Sequence, residues 1–89
     1  MRDLSELRNE IGEIDRQMAD LFERRMNISR QIAAYKSEKG LPVKDEKREA
    51  ELITRNKSYI SDDQIRSHYE TFFRSVLDAS CDYQNELLN

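Results

Sequence analysis

One residue breaks an otherwise regular apolar stripe. Leu4, Leu7, Ile11, Ile14, Met18 and Leu21 recur at alternating spacings of three and four, and Ile28, Ile32 and Tyr35 resume the pattern. The position between the two runs is Arg25. A guanidinium buried there without an anion would cost on the order of 3 kcal/mol or more. Two readings stand side by side: a structural ion pair or a side chain reaching past the seam to water, and a cation that awaits a ligand carboxylate. On a helix, Arg25, Ser29, Ile32 and Lys36 share one stripe, because eleven residues make almost three turns and span about 16 Å. Two long cationic side chains bending inward over that distance can grip a small dianion. Arg8, seventeen residues before Arg25, is about 25 Å away on the same helix. It cannot reach that ligand within one chain, but across an antiparallel seam it could come level with the Arg25 region of a second copy.

Other polar residues fall on shared faces. Asp45, Arg48, Glu49 and Leu52 lie at i, i+3, i+4 and i+7, which suits either a salt-bridged surface or a site wall. Leu77, Ser80, Cys81, Gln84 and Leu88 form a mixed stripe, either packing or pointing into a cavity. There is no Gly-rich phosphate loop and no Cys or His spacing for zinc. The lone His68 reads as a partly exposed surface group, and no Ser/His/Asp arrangement is suggested. The expectation is therefore no metal, no nucleophile and no cofactor. A unimolecular rearrangement tolerates that poverty, since the protein need only hold the reactive conformer and place fixed charges where the transition state polarises.

The elements that must position these groups are helices. Asp3 with Glu6 marks a helix start, and Gly40 followed by Pro42, with Lys36 and Lys39 in the last turn, marks its stop. The first helix is expected from about Asp3 to Glu38, the second from the N-cap Asp45 to about Asn56. A capping box at Ser61 and Gln64 opens the third, which runs to about Leu87 with Ile65, Tyr69, Phe72, Phe73, Val76 and Leu77 as its core face. A helix of about 35 residues is about 52 Å long, whereas a compact chain of this length has a diameter of roughly 30 Å. The chain cannot cover its own first helix. The reading is an all-α fold of three helices, long, short and long, in one domain over residues 1–89, intertwined with a second copy as a homodimer.

Composition narrows the partners. Charged residues make up 37 % of the 89 and the formal net charge is −3, which removes the basic footprint that nucleic acid requires. No apolar run approaches the ~18 residues of a membrane span, and the N-terminus MRDLSEL lacks the apolar core of a signal peptide. The single Cys81 cannot form an internal disulfide. A cytoplasmic protein without membrane contact is expected.

Three segments carry a resemblance: LRNEIGEIDRQMADLFERR at residues 7 to 25, AAYKSEKGLPVKDEKREAELI at 33 to 53, and SVLDASCDYQ at 75 to 84. Together they resemble the all-helical chorismate mutases, which convert chorismate to prephenate on the route to phenylalanine and tyrosine. The resemblance implies that Arg25, assisted by Ser80, binds one substrate carboxylate, and that Arg8 of the partner chain binds the other together with Lys36. It implies that Lys36 and Gln84 donate to the ether oxygen of the breaking C–O bond. The Asp45 backbone N–H and the Glu49 carboxylate would hold the ring hydroxyl, with Arg48 close by. Ser29, Ile32, Leu52, Leu77 and Cys81 would wall the enolpyruvyl arm, Ser29 and Cys81 being more polar than the family pattern. Two rival readings stay open: an isochorismate pyruvate lyase on the same fold, against which Glu49 argues, and a non-catalytic helical dimerisation or regulatory module.

Overall fold

The computed structural model describes residues 1–88 and contains α1 (Leu4–Lys39), α2 (Glu46–Lys57) and α3 (Asp63–Leu88), with no strand among the described residues. The all-α class and the long, short, long order match the reading from sequence; its domain boundary, Asn89, lies outside the described residues. At the start of α1 the Asp3 carboxylate accepts the Glu6 N–H at 2.8 Å, satisfying one of the orphan donors of the first turn. At its end Gly40 is left-handed, φ 69°. The Gly40 N–H donates to the Ser37 carbonyl and that of Leu41 to the Lys36 carbonyl, 3.3 and 2.8 Å, a Schellman closure that a side chain at residue 40 would strain.

Asp45 caps α2 as expected, its carboxylate accepting the Arg48 N–H at 3.0 Å. The start of α3 differs from expectation by one residue. Asp62, not Ser61, supplies the capping oxygen, accepting the Gln64 N–H at 2.9 Å. A carboxylate answers the positive helix end better than a hydroxyl does. Arg66 fixes the same corner, donating through Nη2 and Nε to the Ile60 carbonyl at 2.7 and 3.2 Å and pairing with Asp63.

α3 packs against both α1 and α2, which do not pack on each other. Ile53 of α2 with Phe73 and Leu77 of α3 form the small core, flanked by Leu52, Tyr69 and Val76. Two residues assigned to that core are not in it: Ile65 and Phe72 are 50 % and 49 % exposed. They lie seven apart on a flank of α3 that neither other helix covers. On the polar side, Glu70 ties α2 to α3. Its Oε1 accepts from Lys57 Nζ at 2.7 Å and its Oε2 from Nε and Nη2 of Arg74, each at 3.1 Å. Those hydrogen bonds, Lys57's first, hold the Glu70 carboxyl below the usual carboxylate range.

The outline is a rod of 56 × 25 × 15 Å with a radius of gyration of 16.3 Å, against about 12 Å for a compact chain of this length. Its accessible surface is 7280 Å², where a folded monomer of this mass exposes about 5,500 Å². The excess sits partly on α1, whose Leu4, Leu7, Ile11, Ile14, Met18 and Leu21 are all at least 40 % exposed.

Candidate active site

Because α1 and α2 touch α3 but not each other, the gap between them is a cavity of about 410 Å³ floored by α3. Arg25, Ser29, Ile32 and Lys36 face it from α1, spaced as the helical stripe requires. Asp45, Arg48, Glu49 and Leu52 face it from the cap and first turns of α2, and Leu77, Ser80, Cys81 and Gln84 from α3. The two ambiguous faces of the sequence thus turn toward one space. Leu88 does not join them; it is exposed beyond the cavity.

Arg25 Nη1 donates to Ser80 Oγ at 2.6 Å. Its guanidinium carbon stands 5.8 Å from the centroid of the Phe73 ring, within cation–π range. The Ser80 hydroxyl reaches Met26 Sδ at 3.7 Å, which turns its lone pairs toward the guanidinium. Burial pulls the Arg25 pKa down, partly opposed by Tyr69, yet a guanidinium stays cationic at any ordinary pH. Among the described residues no carboxylate pairs with it. The ion-pair reading of Arg25 is therefore not what the structure has: a half-buried cation is held by neutral groups alone.

Lys36 is in a similar position. Its Nζ donates to the Val43 carbonyl at 2.7 Å, tethering the connector between α1 and α2 beside the cavity and leaving two ammonium protons uncommitted among the described residues. The acids nearby are engaged elsewhere. Asp45 uses its carboxylate in the cap, and Glu49 Oε2 lies 3.9 Å from Lys44 Nζ. Arg48 Nη1 lies 3.9 Å from Glu51 Oε2. Gln84, 7 % exposed, donates from Nε2 to Ser29 Oγ at 2.8 Å, and its Oε1 is buried without a partner.

Of the site residues expected from sequence, Arg25, Lys36, Asp45, Arg48, Glu49, Ser80 and Gln84 line this one cavity, and Arg8 does not. Arg8 is exposed on the bare half of α1. Sequence reading missed Phe73, the ring beneath Arg25. A signal existed, since Phe73, Leu77, Ser80 and Gln84 follow the same three-and-four spacing. It also missed the Val43 carbonyl, for which a side-chain pattern carries no signal.

The arrangement can bind an anion carrying more than one negative charge and offer hydrogen-bond donors to its middle. No group of three or more His, Cys, Asp or Glu placed to hold a metal ion occurs among the described residues. No curated protein and no solved structure matches the chain. The family model for chorismate mutase type II matches residues 7–85, a span that takes in every polar residue of the cavity and reaches into all three helices. The chain belongs to the chorismate mutase type II family.

Proposed function

We propose that the protein is a chorismate mutase whose sites are completed by a second copy of the chain, one such helical domain spanning residues 1–89. The observation that carries this is the pair of cations, Arg25 and Lys36, facing one cavity with neither paired to a carboxylate among the described residues. Chorismate is a compact dicarboxylate, and its conversion to prephenate breaks one C–O bond and forms one C–C bond within the same molecule. No proton moves, so no general acid or base is needed.

Arg25, steadied by Ser80, takes one carboxylate. Lys36 and the partner's Arg8 take the other, and Lys36 also faces the ether oxygen. As the C–O bond stretches, that oxygen gains negative charge, so donors from Lys36 and Gln84 bind the transition state more tightly than the ground state. Asp45 has spent its carboxylate on the cap and offers its backbone N–H to the ring hydroxyl. Glu49 accepts from that hydroxyl, and Arg48 stands beside it. Ile32, Leu52, Leu77 and Cys81, with Ser29, fill the wall that holds the side arm over the ring.

The homodimer is supported by surface. The chain exposes about 1,800 Å² beyond a monomer's share, and burying that on each of two copies gives an interface of the size permanent dimers use. A second α1 laid antiparallel on the bare stripe brings Arg8 toward the opposite cavity. No described helix is long and apolar enough to cross a membrane. The single Cys81 is a free thiol, suited to a reducing cytoplasm.

The test is the ultraviolet absorbance of chorismate with purified protein. Its decay, with prephenate formed and the rate collapsing in Arg25→Ala, is the expected result. A flat trace with tight binding would instead identify a binding module, and release of pyruvate from isochorismate a lyase.

A further inference from the structure

Ser29 is the least exposed polar side chain among the described residues, 4 % accessible, in the middle of α1. Its oxygen accepts the Gln84 N–H at 2.8 Å, a buried bond that joins α1 to α3 across the cavity floor. Among the described residues the Gln84 amide has no other partner, and its Oε1 has none at all. The terminal torsion of a glutamine is broad and nearly two-fold, so nothing in the covalent structure chooses which amide atom faces the cavity. A buried carboxamide with one partner is oriented by that partner.

We propose that Ser29 is the positioning residue for Gln84: its hydroxyl sets the rotation of the carboxamide, so that the second N–H of Nε2 is held toward the cavity as a donor. This rests on the reading of the cavity as a chorismate mutase site. The hydroxyl engages one amide proton and leaves the other for the reacting oxygen. With a methyl group at residue 29 the amide would rotate between two orientations, one of which turns the carbonyl on an oxygen that is gaining negative charge. The loss then falls on the transition state, hence on kcat, while substrate binding is carried by the cationic groups.

The experiment is a double-mutant cycle on the full chain. Ser29→Ala removes one oxygen and raises helix propensity, so helix content by circular dichroism is expected to hold. Its kcat is expected to fall roughly tenfold, with KM within about twofold. In a Gln84→Ala background, Ser29→Ala is expected to change kcat by less than about twofold, because the amide it orients is gone. A second readout uses Gln84→Glu, whose activity requires the carboxyl to be protonated. A hydroxyl donates more strongly to a carboxylate than to a neutral acid, so removing it raises that carboxyl's pKa. Adding Ser29→Ala is expected to move the activity limit of Gln84→Glu to higher pH, by about half a unit or more.

Equal kcat losses in the two backgrounds, an unchanged kcat in Ser29→Ala, or a pH limit that stays or moves down would each overturn the proposal. None of these touches the wider reading so long as the wild type consumes chorismate. A wild type that leaves chorismate intact overturns that reading and this inference with it.

Discussion

From Leu4 to Leu21 the stripe of α1 is bare, whereas from Arg25 to Lys36 the same helix is backed by α3 and lines a cavity. The local chemistry differs accordingly. The first half spends its face on leucine, isoleucine and methionine and sends Arg8 out beside them; the second half gives up one stripe position to Arg25 and sets Ser29 and Lys36 beside Ile28, Ile32 and Tyr35. The first half leaves an apolar face open, and the second turns a mixed polar face to the cavity. On an uninterrupted helix both faces share one rigid axis, so a partner seated on the bare half would be held in fixed register with the cavity.

If the two halves serve one reaction, damage to the bare half abolishes activity from a distance. Leu7→Glu combined with Ile14→Glu is expected to eliminate self-association in sedimentation and chorismate turnover together. Full turnover by a monomer would break the link. Within the cavity, Lys36→Ala is expected to lower kcat by roughly 10²- to 10³-fold, as loss of a donor to a developing oxyanion does. Stopped initial rates at saturating chorismate measure it, and a change confined to KM would show Lys36 to be a binding residue only.

Gln84→Glu is expected to retain activity only on the acid side, since an ionised carboxylate would repel the ether oxygen; a rate independent of pH between about 4 and 8 would contradict the donor role. Mixing Arg8→Ala with Arg25→Ala chains, each nearly inactive alone, is expected to restore about a quarter of wild-type activity, because half the random dimers carry one intact site. No recovery after exchange would separate the halves again. Smallest is the brace away from both. Glu70→Gln is expected to lower the melting temperature by a few degrees at most. Because the folded carboxyl is depressed by Lys57 and then Arg74, its stabilisation is full above the unfolded value of about 4.3 and fades as pH falls through the lower folded one. The two melting curves should therefore converge in acid.

Helix ends were legible where a single residue type solves a backbone problem. Asp3, Gly40 and Asp45 each do so, and each acts as read. Ser61 failed because the adjacent Asp62 could do the same work with a full charge. Ile65 and Phe72 were misread because apolar spacing identifies a face and not what lies opposite it. Helical spacing fixed which polar residues share a side of each helix but left open whether the α2 and α3 faces were surface or site; the family resemblance is what gathered them around one space. What spacing could not supply was the pairing across helices: Arg25 with Ser80 and Phe73, or Gln84 with Ser29. Those depend on how α1 and α3 are rotated against each other, which a one-dimensional pattern leaves free.

The order of the elements along the chain matters during synthesis as well. At about 5 to 20 residues per second, the last residue of α1 is joined some 2 to 10 seconds before the last residue of α3. Neither later helix covers its greasy ribbon from Leu4 to Leu21, so that ribbon is still open to a neighbouring helix of similar pattern when the chain is finished. If that ribbon is the seam between two copies, chains made on one polysome are the nearest candidates to pair, and co-expressed relatives with the same ribbon would be the natural source of mismatched pairs.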